Sequence, residues 1–430
     1  MITTAFVNIW DNRVGAVAWN PATGLGSFEY EPKFLEKQIE LSPIKVPITN
    51  AKGRIFSFPE LKDLNTFKGL PGLLADTLPD AYGNQLINTW LAQNGRPENS
   101  MNPVEMLCFI GNRGMGALEF EPAQMKASRK ATDIEIGGLI EITQKILDRR
   151  EGFEANLNEN EQQALIDVLK IGTSAGGARP KAIIAYNEAT GKIKSGQTLA
   201  PKGFEHWLIK LDAFSDAQYG TSVGYGRVEM AYYLMAKACG IEMMECRMIE
   251  ENGRAHFMTK RFDRENGSIK HHIQTLCALQ HFDFTHTRGY SYEQLFQTMR
   301  LLQLPYTAAE ELFKRMVLNV FSRNCDDHSK NFAFRLKQNN NWELTPAYDI
   351  SHAYRPDSDW VSQHNLSING KRTDFELDDL LFIAKQMNIK KAKSIISNTL
   401  EVVNNWDYFA EKTKVDEKLK KAIKASHLIL

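Results

Sequence analysis

NCDDHSKNF, residues 324–332, sets two acids, a histidine, a lysine and an asparagine directly after the apolar run MVLNVF at 316–321. So dense a polar cluster beside a core segment has three readings: a helix end with solvated charges, a metal site, or the working loop of an enzyme. Taken alone, the stretch fits a helix C-terminus, with Lys and His near its dipole, about as well as it fits catalysis. One spacing separates the readings. Protein kinases place a catalytic Asp five positions before a metal-holding Asn, in H-R-D-x-x-x-x-N. Asp326 and Asn331 are five apart and Asp327 is only four away, so Asp326 is the expected base and Asn331 an expected Mg²⁺ ligand. Lys330 is placed to neutralise charge on a transferring phosphoryl group.

The neighbouring sequence extends this set in both directions. NFAFRL and WELT form an expected hairpin around Lys337–Asn341, and Asp349 in TPAYDIS follows it. Kinases carry a metal-binding Asp after the same kind of hairpin. A carboxylate among apolar neighbours needs a partner, and Mg²⁺ is one, although an Asp capping a strand end explains the residue equally simply. Upstream, Lys210 ends the apolar strand HWLIKLD. A snorkelling edge lysine is the plain reading, and a lysine reaching ATP phosphates is the sharper one. The sharper reading demands a glutamate on the next helix, and Glu229 is the sole acid between Tyr225 and Gly240. Further upstream, Gly172, Gly176 and Gly177 in GTSAGGARPK precede a strand, where backbone N–H groups could cradle phosphates. A lone glycine cluster is more often a flexible turn, and GNRGMG at 111–116 is read as one. The order of parts carries the weight: glycine loop, strand lysine, helix glutamate, Asp-x₄-Asn, hairpin, Asp.

The totals are compatible. A chain of 430 residues with 43% hydrophobic and 24% charged residues suits two or three domains of ordinary globular composition. The 52 basic and 52 acidic residues cancel, so a generally basic face for nucleic acid is not indicated. Five scattered cysteines without C-x-x-C argue against a disulfide framework or zinc ribbon and fit a reducing cytoplasm. No secretory leader and no apolar window of membrane-spanning length is recognised. Short strands are expected at AFVNIW, VGAVAW and RIFSF, and helices at 80–93, near 104, at 133–149 and at 158–170. Strands return at KAIIAY, KIKSG, HWLIKLD, ECRMIE and AHFMTKRF, followed by helices near 225–239, at 306–323 and beyond 375. The expected class is α+β: a bilobal protein-kinase-like fold with an additional mixed N-terminal subdomain. The expected divisions are 1–125, 126–265 and 266–430.

These residues resemble the HipA-like serine/threonine kinases, toxins of HipA–HipB toxin–antitoxin modules. The resemblance rests on GTSAGGARPK, HWLIKLD, TKRFDR at 259–264, CDDHSKNF, LTPAYDIS and LSINGK at 366–371. GLPGLLADTLPD and GNRGMGALEF are similar to that family's extra N-terminal subdomain. The resemblance implies Asp326 as base, Asn331 and Asp349 as Mg²⁺ ligands, and Lys210 on the ATP phosphates, positioned by Glu229. It implies adenine hydrogen bonds from the backbone at Lys260 and Phe262, and autophosphorylation of Ser174. His328, grouped with the cofactor-binding residues, either orients the loop or simply packs, and packing is the favoured reading. A phosphate at Ser174 would add about −1.5 to −2 charges beside the nucleotide. Two departures stand out: Cys325 occupies the Arg position of H-R-D, and Pro180 stands where some members carry an acid. The resemblance implies a HipB-like helix-turn-helix antitoxin, which would supply most of the operator-DNA contact, and a protein substrate such as an aminoacyl-tRNA synthetase. A small-molecule kinase with the same residues, and a catalytically idle co-repressor, are the competing functions.

Overall fold

Residues 4–9, TAFVNI, alternate as a half-buried strand should: Ala5, Val7 and Ile9 are buried while Thr4 and Phe6 are exposed. In this computed structural model the strand Thr4–Ile9 sits inside an antiparallel sheet of order Ile55–Phe56, Leu25–Tyr30, Asn12–Asn20, Thr4–Ile9, Glu119–Glu121. Gly15 is required there, since a Cβ would lie 2.1 Å from the Glu29 carbonyl oxygen of the facing strand. Two capped helices follow in sequence. Asp80 accepts from the Gly83 N–H at the start of Ala81–Gln93, and Asn102 accepts from the Glu105 N–H at the start of Pro103–Ile110.

The described residues are 2–122, 180–196, 200–212, 215–216, 220–221, 224–251, 254–267 and 269–430. The helices expected at 133–149 and 158–170 lie outside them, as does the glycine loop with Gly172, Ser174, Gly176 and Gly177. The chain divides into two compact units, residues 1–42, 46–223 and 249–273 in the first, and 43–45, 224–248 and 274–430 in the second.

In the first unit, strands of a second antiparallel sheet run in the order Arg254–Lys260, Glu205–Lys210, Lys181–Tyr186, Ile193–Ser195. Trp207, Ile209, Ile184 and Met258 pack there with Leu86, Ile87 and Phe109 of the capped helices. Asp80 does double duty, since its Oδ2 also lies 3.1 Å from the buried Lys181 Nζ. The TKRFDR run forms a second tie in this unit. Arg261 grips the fully buried Asp263 with two hydrogen bonds of 2.8 and 2.6 Å, and Arg264 adds a third of 2.7 Å. The Gly116 N–H donates to Asp263 at 2.8 Å, and Arg264 donates to the Gly114 and Gly116 carbonyls. Burial alone would raise the Asp263 carboxyl, but the two guanidinium groups overrule it and hold it below its ordinary value. GNRGMG is thus a turn, as expected, and also the seat of this buried carboxylate.

The second unit is built on helices. Tyr225–Ala238, Tyr292–Leu301, Tyr306–Phe321, Leu377–Gln386, Ala392–Asn404 and Trp406–Lys412 contribute to one apolar core around Tyr232, Phe296, Phe313, Val317 and Trp406. The expected hairpin is present as Ala333–Leu336 paired antiparallel with Trp342–Leu344. The class is α+β, as the sequence suggests. RIFSF shrinks to the two-residue strand Ile55–Phe56, and the strand Leu25–Tyr30, whose glycines resemble turn signals, escapes sequence reading. Among the described residues no helix is long and apolar enough to cross a membrane.

Candidate functional site

The helix Tyr306–Phe321 delivers the site. Its apolar positions fill the core, while Arg315 and Asn319 are buried polar residues near its end. After Ser322 the chain turns through Arg323, which holds a φ of 55°. Asn324 then bridges Ala353 in parallel, with Cys325 N–H donating to the Ala353 carbonyl at 3.0 Å and Ala353 N–H to the Arg323 carbonyl at 3.1 Å. The segment that follows Asp349 therefore anchors the segment that precedes Asp326.

The two adjacent aspartates have opposite environments. Asp327 is 1% exposed and saturated. Its carboxylate accepts from Tyr292 Oη–H, His364 Nδ1–H and Asn365 N–H, each at 2.8 Å. Behind Tyr292 the chain continues through Asn319 to Asn324 at 3.0 and 2.9 Å. Burial would lower the His364 imidazole, but the Asp327 charge outweighs it and raises it to about 10. The Asp326 side chain, in contrast, keeps 38% of its accessible surface. It is nonetheless surrounded by enough protein for desolvation to raise its carboxyl, with His328 and Trp360 opposing and Asp349 and Asp327 adding to the rise. Trp360 Nε1–H donates to Asp326 Oδ1 at 2.6 Å, and His328 Nε2 lies 3.7 Å from the same oxygen.

Asn331 and Asp349 line one small cleft together with Arg315, Asn319, Tyr348 and Asp327. Asn331 Nδ2 donates to the Asp326 carbonyl at 2.7 Å, which leaves Oδ1 as the atom able to face a cation. Asp349 holds a left-handed backbone, φ 52°, uncommon for a residue with a side chain. One amide oxygen and one carboxylate suit Mg²⁺, which typically takes one or two carboxylates and leaves its other positions to water and phosphate oxygens. The donor set therefore fits the metal expected from sequence. Lys330 Nζ lies 4.7 Å above the Phe284 ring, and its carbonyl accepts from Tyr348 Oη–H at 2.7 Å. His328 accepts the Lys330 N–H through Nδ1 at 3.2 Å and packs on Phe284 and Trp360 at ring distances of 5.1 and 6.0 Å. It thus packs and orients the loop.

Of the remaining expected residues, Lys210 ends the strand Glu205–Lys210 in the first unit, with Nζ 5.7 Å from the Phe257 ring centre. Lys260 stands opposite Trp207 in the ladder and ion-pairs with Glu205, and Phe262 follows in the turn. Glu229 lies in the second unit on the helix Tyr225–Ala238 and is 5% exposed, a burial that obliges a carboxylate to be paired. LSINGK is structural: Leu366 pairs with Tyr290 in a short parallel ladder, Ile368 is buried, and Lys371 pairs with Asp379 at 2.8 Å. Sequence reasoning missed Trp360, His364 and Tyr292. A lone Trp following two acids in DSDWVS was the one available signal.

The family model for the HipA-like C-terminal domain matches residues 173–406, and that for the HipA N-terminal domain matches residues 5–121. Among solved structures, HipA of Shewanella oneidensis MR-1, determined with HipB and operator DNA, aligns with a TM-score of 0.67. That alignment covers 98% of this chain and 94% of that one at 16% identity, a likeness of fold. The Helicobacter pylori proinflammatory kinase CtkA aligns over 58% of this chain and 92% of its own, at 13% identity and a TM-score of 0.34. No curated protein matches the sequence. With its C-terminal domain model covering more than half the chain, the protein belongs to the HipA family.

Proposed function

We propose that the chain is an ATP- and Mg²⁺-dependent serine/threonine protein kinase, the toxin of a toxin–antitoxin pair. The observation that supports this most is local to the second unit. Asn331 and Asp349 line one cleft, and Asp326 stands near both while Asp327 is consumed by buried partners. Asp326 takes the proton of an acceptor hydroxyl as that oxygen bonds the γ-phosphorus and ADP departs. Asn331 Oδ1 and the Asp349 carboxylate would hold Mg²⁺, which supplies charge neutralisation at the phosphates. Lys330 neutralises charge on the same group. Lys210, supported by Glu229, would bind the ATP phosphates, and the backbone at Lys260 and Phe262 the adenine. The loop of Gly172, Ser174, Gly176 and Gly177 would cover the phosphates, with Ser174 the site of autophosphorylation.

The division into 1–125, 126–265 and 266–430 belongs to this proposal, as do the partners. The relative from Shewanella was solved with HipB and operator DNA, which supports a HipB-like antitoxin carrying most of the DNA contact for a chain of zero net charge. The protein substrate is proposed to serve translation, as an aminoacyl-tRNA synthetase does. Incubation with γ-labelled ATP and Mg²⁺ tests the reaction. Label is expected in the chain or in a lysate protein and is expected to vanish in Asp326→Asn. A folded, ATP-bound wild type that labels neither defeats the kinase reading. Label confined to metabolites favours a small-molecule kinase, and toxicity surviving Asp326→Asn favours an idle co-repressor.

A further inference from the structure

Asp326 is half-exposed, and a carboxyl group rotates easily about its last bond, where the torsional wells are broad. A base that must meet a hydroxyl in one direction needs that rotation stopped. Oδ1 is engaged by Trp360 Nε1–H at 2.6 Å, with His328 Nε2 at 3.7 Å, while Oδ2 makes no hydrogen bond among the described residues. Trp360 is itself held from three directions. Its backbone N–H donates to Ser358 Oγ at 3.2 Å, and the Val361 backbone N–H donates to the same oxygen at 3.3 Å. Its carbonyl accepts from Asn365 Nδ2 at 3.3 Å. Asn365 is buried and is tied to the Cys325 carbonyl at 2.9 Å and to the Asp327 carboxylate at 2.8 Å. Phe284 and His328 meet the indole edge-on at 6.1 and 6.0 Å. The indole is therefore referenced to the same buried Asp327 that anchors the loop, and it aims one N–H at one oxygen.

We infer that Trp360 is a positioning residue for the base: its indole N–H locks Oδ1 of Asp326 and presents Oδ2 to the acceptor hydroxyl. This rests on the kinase reading above and adds to it the residue that orients the base. Hydrogen bonds to a carboxylate are the strong ones, and support of this kind decides whether a catalytic group is preorganised.

Two substitutions separate the donor from the ring. Trp360→Phe keeps an aromatic packing partner for Phe284 and His328 and removes the N–H. Trp360→His overlays its five-membered ring on that of the indole, with Nε2 in the place of Nε1. The assay is single-turnover transfer from γ-labelled Mg·ATP, read as a maximal rate and a half-saturating ATP concentration, with melting temperature alongside. Trp360→Phe is expected to slow the maximal rate about ten-fold, the factor that about 1.4 kcal/mol produces, with half-saturation unchanged. Trp360→His is expected to stay within about three-fold of wild type, a loss worth less than 1 kcal/mol. Phe at wild-type rate, Phe faster than wild type, or His slower than Phe each overturns the inference: the first leaves packing only, the second makes Trp360 an obstruction, and the third denies the donor a role. Asp326→Asn is run beside them. Its loss of transfer with Phe unaffected overturns the Trp360 inference alone, whereas its full activity overturns the kinase reading and this one together.

Discussion

Asp326 and Asp327 are adjacent in sequence and should fail in opposite ways. Replacing Asp327 with Ala strands three buried donors, Tyr292 Oη–H, His364 Nδ1–H and Asn365 N–H, in a site where both members of the ion pair are 0% exposed. Breaking a buried pair by removing one partner costs about 3–5 kcal/mol, because the remaining charge stays buried. His364 can escape part of that by losing its proton, but Tyr292 and the Asn365 amide cannot. At roughly 2–4 °C per kcal/mol for a unit of this size, the melting temperature should fall by about 6–20 °C. Asp326→Asn removes no buried anchor, and its stability should stay within about 0.5 kcal/mol of wild type. Its transfer rate should drop by about 10²–10⁴, the usual contribution of a general base. Differential scanning calorimetry and labelled-ATP transfer on both variants give the two readings. A stable but inactive Asp327→Ala, or an unstable Asp326→Asn, would refute the assignment of one residue to anchoring and the other to chemistry.

Three further outcomes are expected. His364 is raised to about 10 when folded, against about 6.5 unfolded, so its stabilisation is complete below pH 6.5 and is lost as pH rises through about 10. Urea unfolding between pH 6 and 10 should show that decline in wild type and a shallower one in His364→Asn, which keeps a neutral donor. Asp349→Asn should raise the Mg²⁺ concentration for half-maximal transfer at least about ten-fold, the effect of losing about 1.4 kcal/mol of ligand affinity, as read in a Mg²⁺ titration at fixed ATP. After incubation with Mg·ATP, peptide mapping by mass spectrometry should place a phosphate at Ser174, and phosphate found solely outside residues 172–181 would remove that site.

The parts of the site that were legible are those whose geometry is local. Asp326 and Asn331 sit on one short loop, so their spacing can be counted directly, and the hairpin leading toward Asp349 is signalled by its own turn residues. The strand that carries Lys210 and the helix that carries Glu229 are legible too, each specified by its own sequence. What could not be read arrives from far along the chain. Trp360 reaches Asp326 across 34 residues and His364 reaches Asp327 across 37, from a loop with no period to mark which side chain points inward. The buried Asp263 is the extreme case. Its backbone donor, Gly116, is 147 residues away in a glycine cluster that by itself announces only a turn. A charged run such as KRFDR reads as a solvated face until the fold closes over it.

The loop's own burial pattern gives its two aspartates different surroundings. From Cys325 to Lys330 the chain is neither α-helix nor sheet, yet burial alternates strictly: Cys325, Asp327 and Ser329 are buried, and Asp326, His328 and Lys330 are half-exposed. Through His328 the alternation sends successive side chains to opposite sides, as along an extended segment, and the 3₁₀ turn Ser329–Asn331 carries it on. The inward three are anchors. The Cys325 carbonyl accepts from Asn365, Asp327 gathers three donors, and Ser329 Oγ–H donates to the Phe282 carbonyl at 2.9 Å. The outward three are ionisable groups, among them Asp326 and Lys330, the sequence's two candidates for chemistry. A shift of one residue would bury Asp326 among the donors that now meet Asp327 and expose the anchor instead, so the saturated Asp327 carboxylate holds the loop's register. The Cys at the Arg position of H-R-D is consistent with this arrangement: it is an inward position, where a guanidinium would need a partner of its own and a small apolar thiol needs none.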